Sequence, residues 1–461
     1  MSSINNFKSK VPLNVFIIGA GIGGLAAATA CARASMNVTI YESASQLTEV
    51  GAGIQIGPNM SRLLRRWDLL ESLRPLAVNI EALSLRRYAD NSEIARVSMS
   101  EIEHIHGAPL WVAHRADLQN ILKEGAESAG ARIIVKSCVE DIDFENARIK
   151  LKGQTNWIDG DVLIAADGVK SIARKKMLAK QGNIDKVRET GDAAWRVIIP
   201  AEEIYNSNDV ELIEALESSV GLRWMGPSGH IMCYPIRNHQ LLNAVLLHPD
   251  RPGTEESWTM KGSKKDMLEF YRSWNLHIKK LLECVPEGEV LEWKLCDHEP
   301  LTSWIEGKVA LMGDAAHPML PYVAQGAAQA VEDAAVLAVC LSMIESKDQI
   351  KTALQVYELV RKERAETVQT SATQTRQVLH LHDGQEQLER DNIIRNSSKG
   401  GPNPDLWSDR SFQQWCWSTD TQQQAFSMWN ELVQLVTSIH DFESPFSTKG
   451  LSWLKKLQSH H

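Results

Sequence analysis

No two cysteines in this chain are spaced as Cys-x-x-Cys, although it carries seven of them, an odd number (Cys31, Cys138, Cys233, Cys284, Cys296, Cys340 and Cys416). That pattern argues against a zinc site and against a disulfide framework. It predicts reduced, mostly buried thiols in an intracellular protein. Basic charge is also short: 49 Lys and Arg stand against 58 Asp and Glu, a formal net charge of -9. Nucleic-acid binders usually show a basic face, so that class is set aside. No apolar run approaches the ~20 residues that span a bilayer. The polar stretch Met1–Pro12 lacks the apolar core of a signal peptide, and Gln458–His461 matches no targeting tripeptide. These absences make a cytoplasmic location the expectation. Internal repeats and low-complexity segments are absent too.

What remains is ordinary enzyme composition, 43% hydrophobic and 23% charged over 461 residues. Length alone suggests roughly two to four domain-sized units. The 14 tryptophans are many for this length, and five lie beyond residue 400. Tryptophan buries large flat surfaces, so core packing is its first reading and the lining of an aromatic pocket its second.

The chain is organised around Val15–Ala32. An apolar run ends at Ile18 and reads as a buried strand, and an Ala-rich helical segment follows through Gly19, Gly21 and Gly24. In such a fingerprint the first glycine makes the tight turn and the second lets a pyrophosphate approach the backbone. The third lets the helix pack close to the strand. The helix start then offers free N–H groups and partial positive charge to phosphates. A second strand, Val38–Tyr41, ends in Glu42, where an acid would bind a ribose hydroxyl. Only one such fingerprint is present.

Downstream, Gly51–Asn59 is a glycine-rich loop containing Ile54 and Ile56, which implies close backbone approach to a ligand or another segment. An amphipathic helix is expected from Met60 to about Leu73, strand-like alternation over 80–97, and a polar loop with His104 and His106. A second marked stretch, Asp161–Arg174, runs a strand into Asp167-Gly168 and starts a helix near Ser171, which suits ribose or pyrophosphate atoms or, more plainly, a helix cap. Strands between Ala193 and Leu247 then read as an antiparallel sheet inserted into the first domain, with helix over about 264–285. A third marked stretch begins at Lys308. A strand enters Gly313-Asp314, prolines shape a loop, and Gly326 opens a long Ala-rich helix. Asp314 suits sugar hydroxyls, and the N–H groups at Gly326 and Ala327 suit an electron-rich carbonyl. The helix is expected to continue through 351–375 as a solvated amphipathic surface. Residues 396–404 read as a linker, followed by a packed helical tail.

Taken together and in this order, the three stretches resemble the FAD-dependent aromatic hydroxylases, single-component flavoprotein monooxygenases, and within them the salicylate-hydroxylase-like branch with its fungal biosynthetic members. The residues that carry the resemblance are Gly19, Gly21 and Gly24 with Glu42; Asp167-Gly168 with Ser171 and Arg174; and Gly313-Asp314 with His317, Pro321 and Gln325-Gly326. It implies an α/β fold: a Rossmann-like FAD-binding domain (1–80, 106–185 and 297–390), an inserted, mostly antiparallel substrate domain (81–105 and 186–296) and a helical C-terminal extension (391–461). It also implies that Glu42 binds the adenosine ribose of FAD. Gly51–Gly53 and Arg115 would contact the flavin side, Asp314 the ribityl-pyrophosphate region, and Gly326 and Ala327 the isoalloxazine. Asp167 would serve both FAD and NAD(P)H. Ala324 and Ala328 depart from the broader pattern, which has glycine and asparagine there. The implied cycle is reduction of FAD by NAD(P)H and reaction with O2 to a C4a-hydroperoxide, which hydroxylates or epoxidises an aromatic or heteroaromatic small molecule.

Two residues are candidates for the chemistry itself. Arg196 lies on the strand where related fungal enzymes place a substrate-side arginine. It could hold a phenolate or carboxylate, or form an interdomain ion pair. Tyr234 could donate a hydrogen bond from the same sheet, or simply pack there. Histidine as a residue type can serve as a base near neutral pH, which draws attention to His317, but a histidine before proline reads first as a loop anchor. His104, His106 and His114 show no metal spacing. Salicylate-type decarboxylative hydroxylation, oxidation of an indole or phenol in secondary metabolism, and an FAD oxidase or dehydrogenase all remain open.

Overall fold

The computed structural model describes residues 4, 7–47, 52–251, 260–397 and 400–439; Gly51 and the chain end around Gln458–His461 lie outside them. The run Asn14–Ile18 sits inside a six-stranded sheet ordered Ile305–Glu306, Val309–Leu311, Val162–Ala165, Asn14–Ile18, Asn37–Tyr41, Arg132–Ile134. The last five are parallel and the first is an antiparallel edge. This order explains why three stretches far apart in sequence act together. The strands preceding Gly19, Asp167 and Gly313 are neighbours, and parallel neighbours all end on one edge of the sheet. Ligands of doubly wound sheets bind at that carboxyl edge.

The helix Ile22–Arg33 packs on Gly326–Met343, and a Cβ at Gly23 would lie 3.2 Å from Ala330 Cβ. Gly326–Met343 is long and apolar enough to cross a membrane. It is nonetheless the central helix of the core, buried from Ala328 to Ser342. Gln329, Glu332 and Asp333 interrupt its apolar sequence.

A seven-stranded sheet forms the second layer, ordered Leu291–His298, Val187–Pro200, Leu241–Pro249, Gly229–Ile236, Val220–Gly226, Ala82–Arg87, Glu93–Ser98. Neighbours are antiparallel except Val220–Gly226 beside Ala82–Arg87. Helices Val210–Glu217, Lys264–Phe270 and Leu276–Glu283 cover one face. The other face looks toward the first sheet. Gly53–Ile56 pairs with Trp111–His114 and bridges the two layers. A small antiparallel meander, Val139–Asp143, Arg148–Leu151 and Trp157–Asp159, was not anticipated.

Several local expectations are corrected. The helix after Pro58 stops at Arg66, where Asp68 turns with φ 61, before a short helix Leu70–Leu73. Residues 102–106 form a helix rather than a polar loop, and His106 is buried with Nδ1 2.7 Å from Ser418 Oγ. The Ala-rich helix does not run on: it breaks after Met343, and Ile350–Leu379 is a separate helix. Nor is that second helix a solvated surface, because Glu358, Arg361, Lys362 and Arg364 are all buried. Charge on a helix predicts exposure only when no counter-ion faces it, and here Glu332 and Asp333 do. The expected linker begins inside a helix, Gln385–Ser397. No disulfide joins any of the seven cysteines.

Candidate cofactor and substrate site

A cavity of about 370 Å³ lies between the carboxyl edge of the first sheet and the inner face of the second. Its floor is the glycine loop. Gly19 has φ 94, and a Cβ there would stand 2.6 Å from Ala166 O. At Gly24 a Cβ would stand 2.0 Å from Gly19 O, so no larger residue fits between helix and strand. A Cβ at Gly21 would meet nothing within 4 Å: the space above it belongs to the cavity. Glu42 stands beside the loop, accepting from the N–H groups of Ala20 and Ala44, each at 2.7 Å.

Asp167 caps the helix Ile172–Lys180, accepting from Ser171 Oγ at 2.6 Å and from the N–H of Ile172 at 2.8 Å. Its neighbours Ala166, Gly168 and Val169 form the cavity wall. Arg174 is fully buried, paired with Asp185, and donates to the carbonyls of Asp314 at 3.2 Å and Ala315 at 3.1 Å. It thereby ties the second marked stretch to the third.

Asp314 lies on the wall, where burial raises its carboxyl above the ordinary range against the opposing pull of His317, Arg115 and Arg174. His317 is buried below the loop, with Nε2 2.6 Å from Asp333 Oδ2 and its ring 4.9 Å from that of Trp304. The geometry is that of an anchor. Ala324 holds φ 52, a left-handed conformation that costs an L-residue about 1–2 kcal/mol. This is the position at which the broader hydroxylase pattern has glycine. The helix then starts at Gly326, and Gly326 and Ala327 line the cavity with no acid in the first turn. Behind them is a buried polar cluster that the sequence reading missed. Asn59 Nδ2 donates to Gln325 Oε1 at 2.9 Å and to Glu332 Oε1 at 2.6 Å, and Glu332 also accepts from Arg361 and Arg364. Two acids in an Ala-rich helix and two arginines three apart in the next helix were the available signal.

The roof comes from the second sheet. Side chains alternate along a strand, so His230, Met232 and Tyr234 face the cavity together, beside Val245, Leu247, Trp293 and Leu295. Tyr234 is buried, which pushes its hydroxyl up, while nearby Arg196 pulls it back. The guanidinium of Arg196 lies 4.0 Å from the Trp293 ring centroid. Gly53 joins roof to floor: its N–H donates to Asn243 Oδ1 at 2.7 Å, and a Cβ would come within 2.8 Å of the Tyr234 ring. Arg115 completes that side. Sequence reasoning did not single out Arg223, His230, Trp293 or Asn243. They could be found only through strand register, which places them opposite or beside the chosen residues.

An FAD molecule fits what is here. The glycine loop leaves a cradle above Gly21, the helix start presents N–H groups, and Gln55 Oε1 and Asn243 Nδ2 are buried without a hydrogen-bond partner beside the cavity. The walls carry Arg115, Arg196, Arg223 and Lys294 with Asp314; Arg223 is paired with Asp405, and Lys294 with Glu189 and Asp250.

A family model described as an FAD binding domain matches residues 12–372. An FAD-dependent monooxygenase of a Nectria species is 36% identical over 401 residues, covering 86% of this chain and 92% of that protein. A 3-hydroxybenzoate 6-hydroxylase of Aquipseudomonas alcaligenes is 33% identical over 362 residues, 77% of this chain and 87% of its own. Among solved structures, a salicylate hydroxylase substrate complex superposes with a TM-score of 0.73 at 24% identity, covering 92% of this chain and 98% of that one, which concerns the fold alone.

Proposed function

The chain belongs to the FAD-binding-domain family and is an FAD-dependent monooxygenase of the aromatic-hydroxylase type, and from that premise we propose that it uses NAD(P)H and O2 to insert one oxygen atom into an aromatic or heteroaromatic small molecule. The observation that carries this reading is the continuity of one cavity from the glycine loop and the Gly326 helix start to Tyr234, Arg196 and Trp293 on the sheet. Cofactor and substrate would share that space. The bound flavin supplies the redox chemistry and the activation of O2.

The chain's own part is binding, orientation and charge. Glu42 would take the adenosine ribose, and Asp314 and Arg115 the ribityl and flavin side. The N–H groups of Gly326 and Ala327 would meet negative charge on the reduced ring, favoured by the helix dipole. Asp167 keeps Gly168 and Val169 in place on the cavity wall through its cap. Arg196, over the Trp293 ring, would present a cation to a phenolate or carboxylate oxygen. Tyr234, kept protonated by burial, remains a donor throughout the working pH range. His230, which burial pushes well down, stays a neutral imidazole, tied through Nδ1 to His380 at 2.9 Å, and adds a polar but uncharged group to the wall. This reading assigns residues 1–80, 106–185 and 297–390 to FAD and 81–105 and 186–296 to the substrate. It places the enzyme in the cytoplasm.

The test is a visible spectrum of the purified protein, then anaerobic reduction by NADPH or NADH with a panel of hydroxybenzoates, phenols and indoles. A flavin spectrum whose bleaching accelerates strongly with one aromatic is expected, with oxygenated product when air is admitted. NADPH consumption that yields only hydrogen peroxide with every aromatic would overturn the proposal in favour of an oxidase.

A further inference from the structure

We infer that Asp192 is the centre of a partition that closes the back of the cavity and keeps water and solutes in a second, solvent-open pocket away from the flavin. Asp192 and Arg376 are its positioning residues, holding Tyr322 as the inner plug. The inference rests on the reading of the cavity as the cofactor and substrate site.

The second pocket, about 400 Å³, opens at the surface between Gly191, Asp192, Ser228, Pro249, Arg376 and His380. Tyr322 and His230 line the reaction cavity itself. The two sets of side chains touch directly. Asp192 Oδ1 accepts from Arg376 Nη2 at 2.6 Å and Oδ2 from Arg376 Nε at 2.5 Å, and Oδ2 also accepts from the Tyr322 hydroxyl. His230 Nδ1 lies 2.9 Å from His380 Nε2. The rings of Tyr322, His230 and His380 have centroids 5.1 to 5.5 Å apart. Cavity and solvent pocket are thus separated by two layers of side chains, Tyr322 and His230 inside and Asp192, Arg376 and His380 outside.

Three distant parts of the chain meet at this wall. In the second sheet Glu189 pairs with Cys296 and Ala193 with Lys294, so Thr190, Gly191 and Asp192 bulge against Leu295 alone. Gly191, at φ 77, makes the bend. Asp192 stands two residues before Ala194, whose side chain packs in the core between the sheets, and so shares its face. Tyr322 comes from the short helix Pro321–Val323, on the loop that leads from Asp314 to Gly326. Arg376 and His380 come from the end of the helix Ile350–Leu379.

The bonding is that of a seal and not of a ligand site. Each of these five described side chains has its buried polar atoms partnered, whereas Gln55 and Asn243, beside the cavity, do not. A saturated wall offers an entering water or ligand no free donor or acceptor. Burial and the charge of Asp192 push the Tyr322 hydroxyl well above its ordinary range, so it stays a donor to that carboxylate. The Asp192 side chain is 3% exposed and Arg376, 31% exposed, supplies its counter-charge from the solvent side. Without that charge a buried carboxylate is stable only if water reaches it. A site that activates O2 has to exclude water at every wall.

The test is quenching of flavin fluorescence in the FAD-loaded enzyme by acrylamide, a neutral probe indifferent to the charge of the variants. Wild type fixes the baseline. Arg376→Ala strips the counter-ion, and its quenching constant is expected to rise severalfold, while Arg376→Lys should return it toward wild type. Arg251→Ala is the control, because it takes the arginine from Glu292, also 3% exposed, on the outer face of the same sheet; it should leave quenching unchanged. Should Arg376→Ala fail to fold, Tyr322→Ala removes the inner plug, keeps the ion pair and carries the same expectation. An unchanged constant in the folded variant, a rise that Arg376→Lys does not lower, or an equal rise in Arg251→Ala would overturn the partition. The measurement needs no turnover, so an enzyme that makes only hydrogen peroxide fails the proposed function and leaves this result standing.

Discussion

Glu332→Gln removes one charge from the middle of the protein without changing its shape. Glu332 is 1% exposed on the central helix and accepts from Arg364 Nε at 2.8 Å and Nη2 at 2.9 Å, from Arg361, and from Asn59. Burial by itself raises this carboxyl, but the two guanidinium groups outweigh it and hold it at about 2, against an ordinary 4.5. At 1.36 kcal/mol per pKa unit the depression corresponds to about 3 kcal/mol of folding stability. Loss of one partner from a buried ion pair, measured in other proteins, costs a similar 3–5 kcal/mol or so. The depressed value sets the sign. The contribution is complete above pH 4.5 and is lost as pH falls toward 2. The assay is urea unfolding of the FAD-loaded protein at several pH values, followed by tryptophan and flavin fluorescence. At pH 7 the variant should be about 3 kcal/mol less stable, and the gap should close in acid. Because Asn59 connects Glu332 to Gln325 at the helix start, flavin should also dissociate faster. A variant within about 1 kcal/mol of wild type at pH 7 would refute the reasoning.

Four further outcomes are expected. Gly24→Ala puts a methyl 2.0 Å from Gly19 O; the protein should lose at least about 1–3 kcal/mol and purify without flavin, and a stoichiometric yellow product would contradict this. Ala324→Gly relieves a left-handed residue at φ 52 and should raise folding stability by up to about 1 kcal/mol, read as a slightly higher melting temperature; a clear fall would count against strain there. His317→Gln should weaken flavin retention and stability through loss of the Asp333 contact while leaving the pH–rate profile in place, so a displaced limb would mean that His317 takes part in the chemistry. Burial lowers His380 to about 4, against the pull of Asp192. The unfolded chain therefore binds a proton that the folded one refuses, and stability present above pH 6.5 is lost down to about 4. His380→Asn should remove about 3 kcal/mol of that acid-side loss in urea midpoints measured against pH, and an unchanged slope would refute it.

Residue types and spacing alone determined the nucleotide fingerprint, the strand ends at Asp167 and Asp314, the helix start at Gly326 and the inserted sheet. Each is a local matter: a tight turn, a period of apolar residues, a helix cap. They were legible because a turn that only glycine can make, or a strand that must be buried, leaves its mark in consecutive residues. Tertiary structure decided the rest. Parallel strand order brought three distant loops to one edge, and register across the second sheet put Arg223 and His230 on the cavity face beside Tyr234. The buried charges of Ile350–Leu379 were misjudged for the same reason. Exposure of a charged residue is not a property of its own helix but of what packs against it, and Glu332 and Asp333 lie about 30 residues earlier in the chain. Asp405 is the extreme case, a loop acid 182 residues from the arginine it partners. An ion pair is an energy between two side chains, and only the folded path of the backbone sets the distance on which that energy depends.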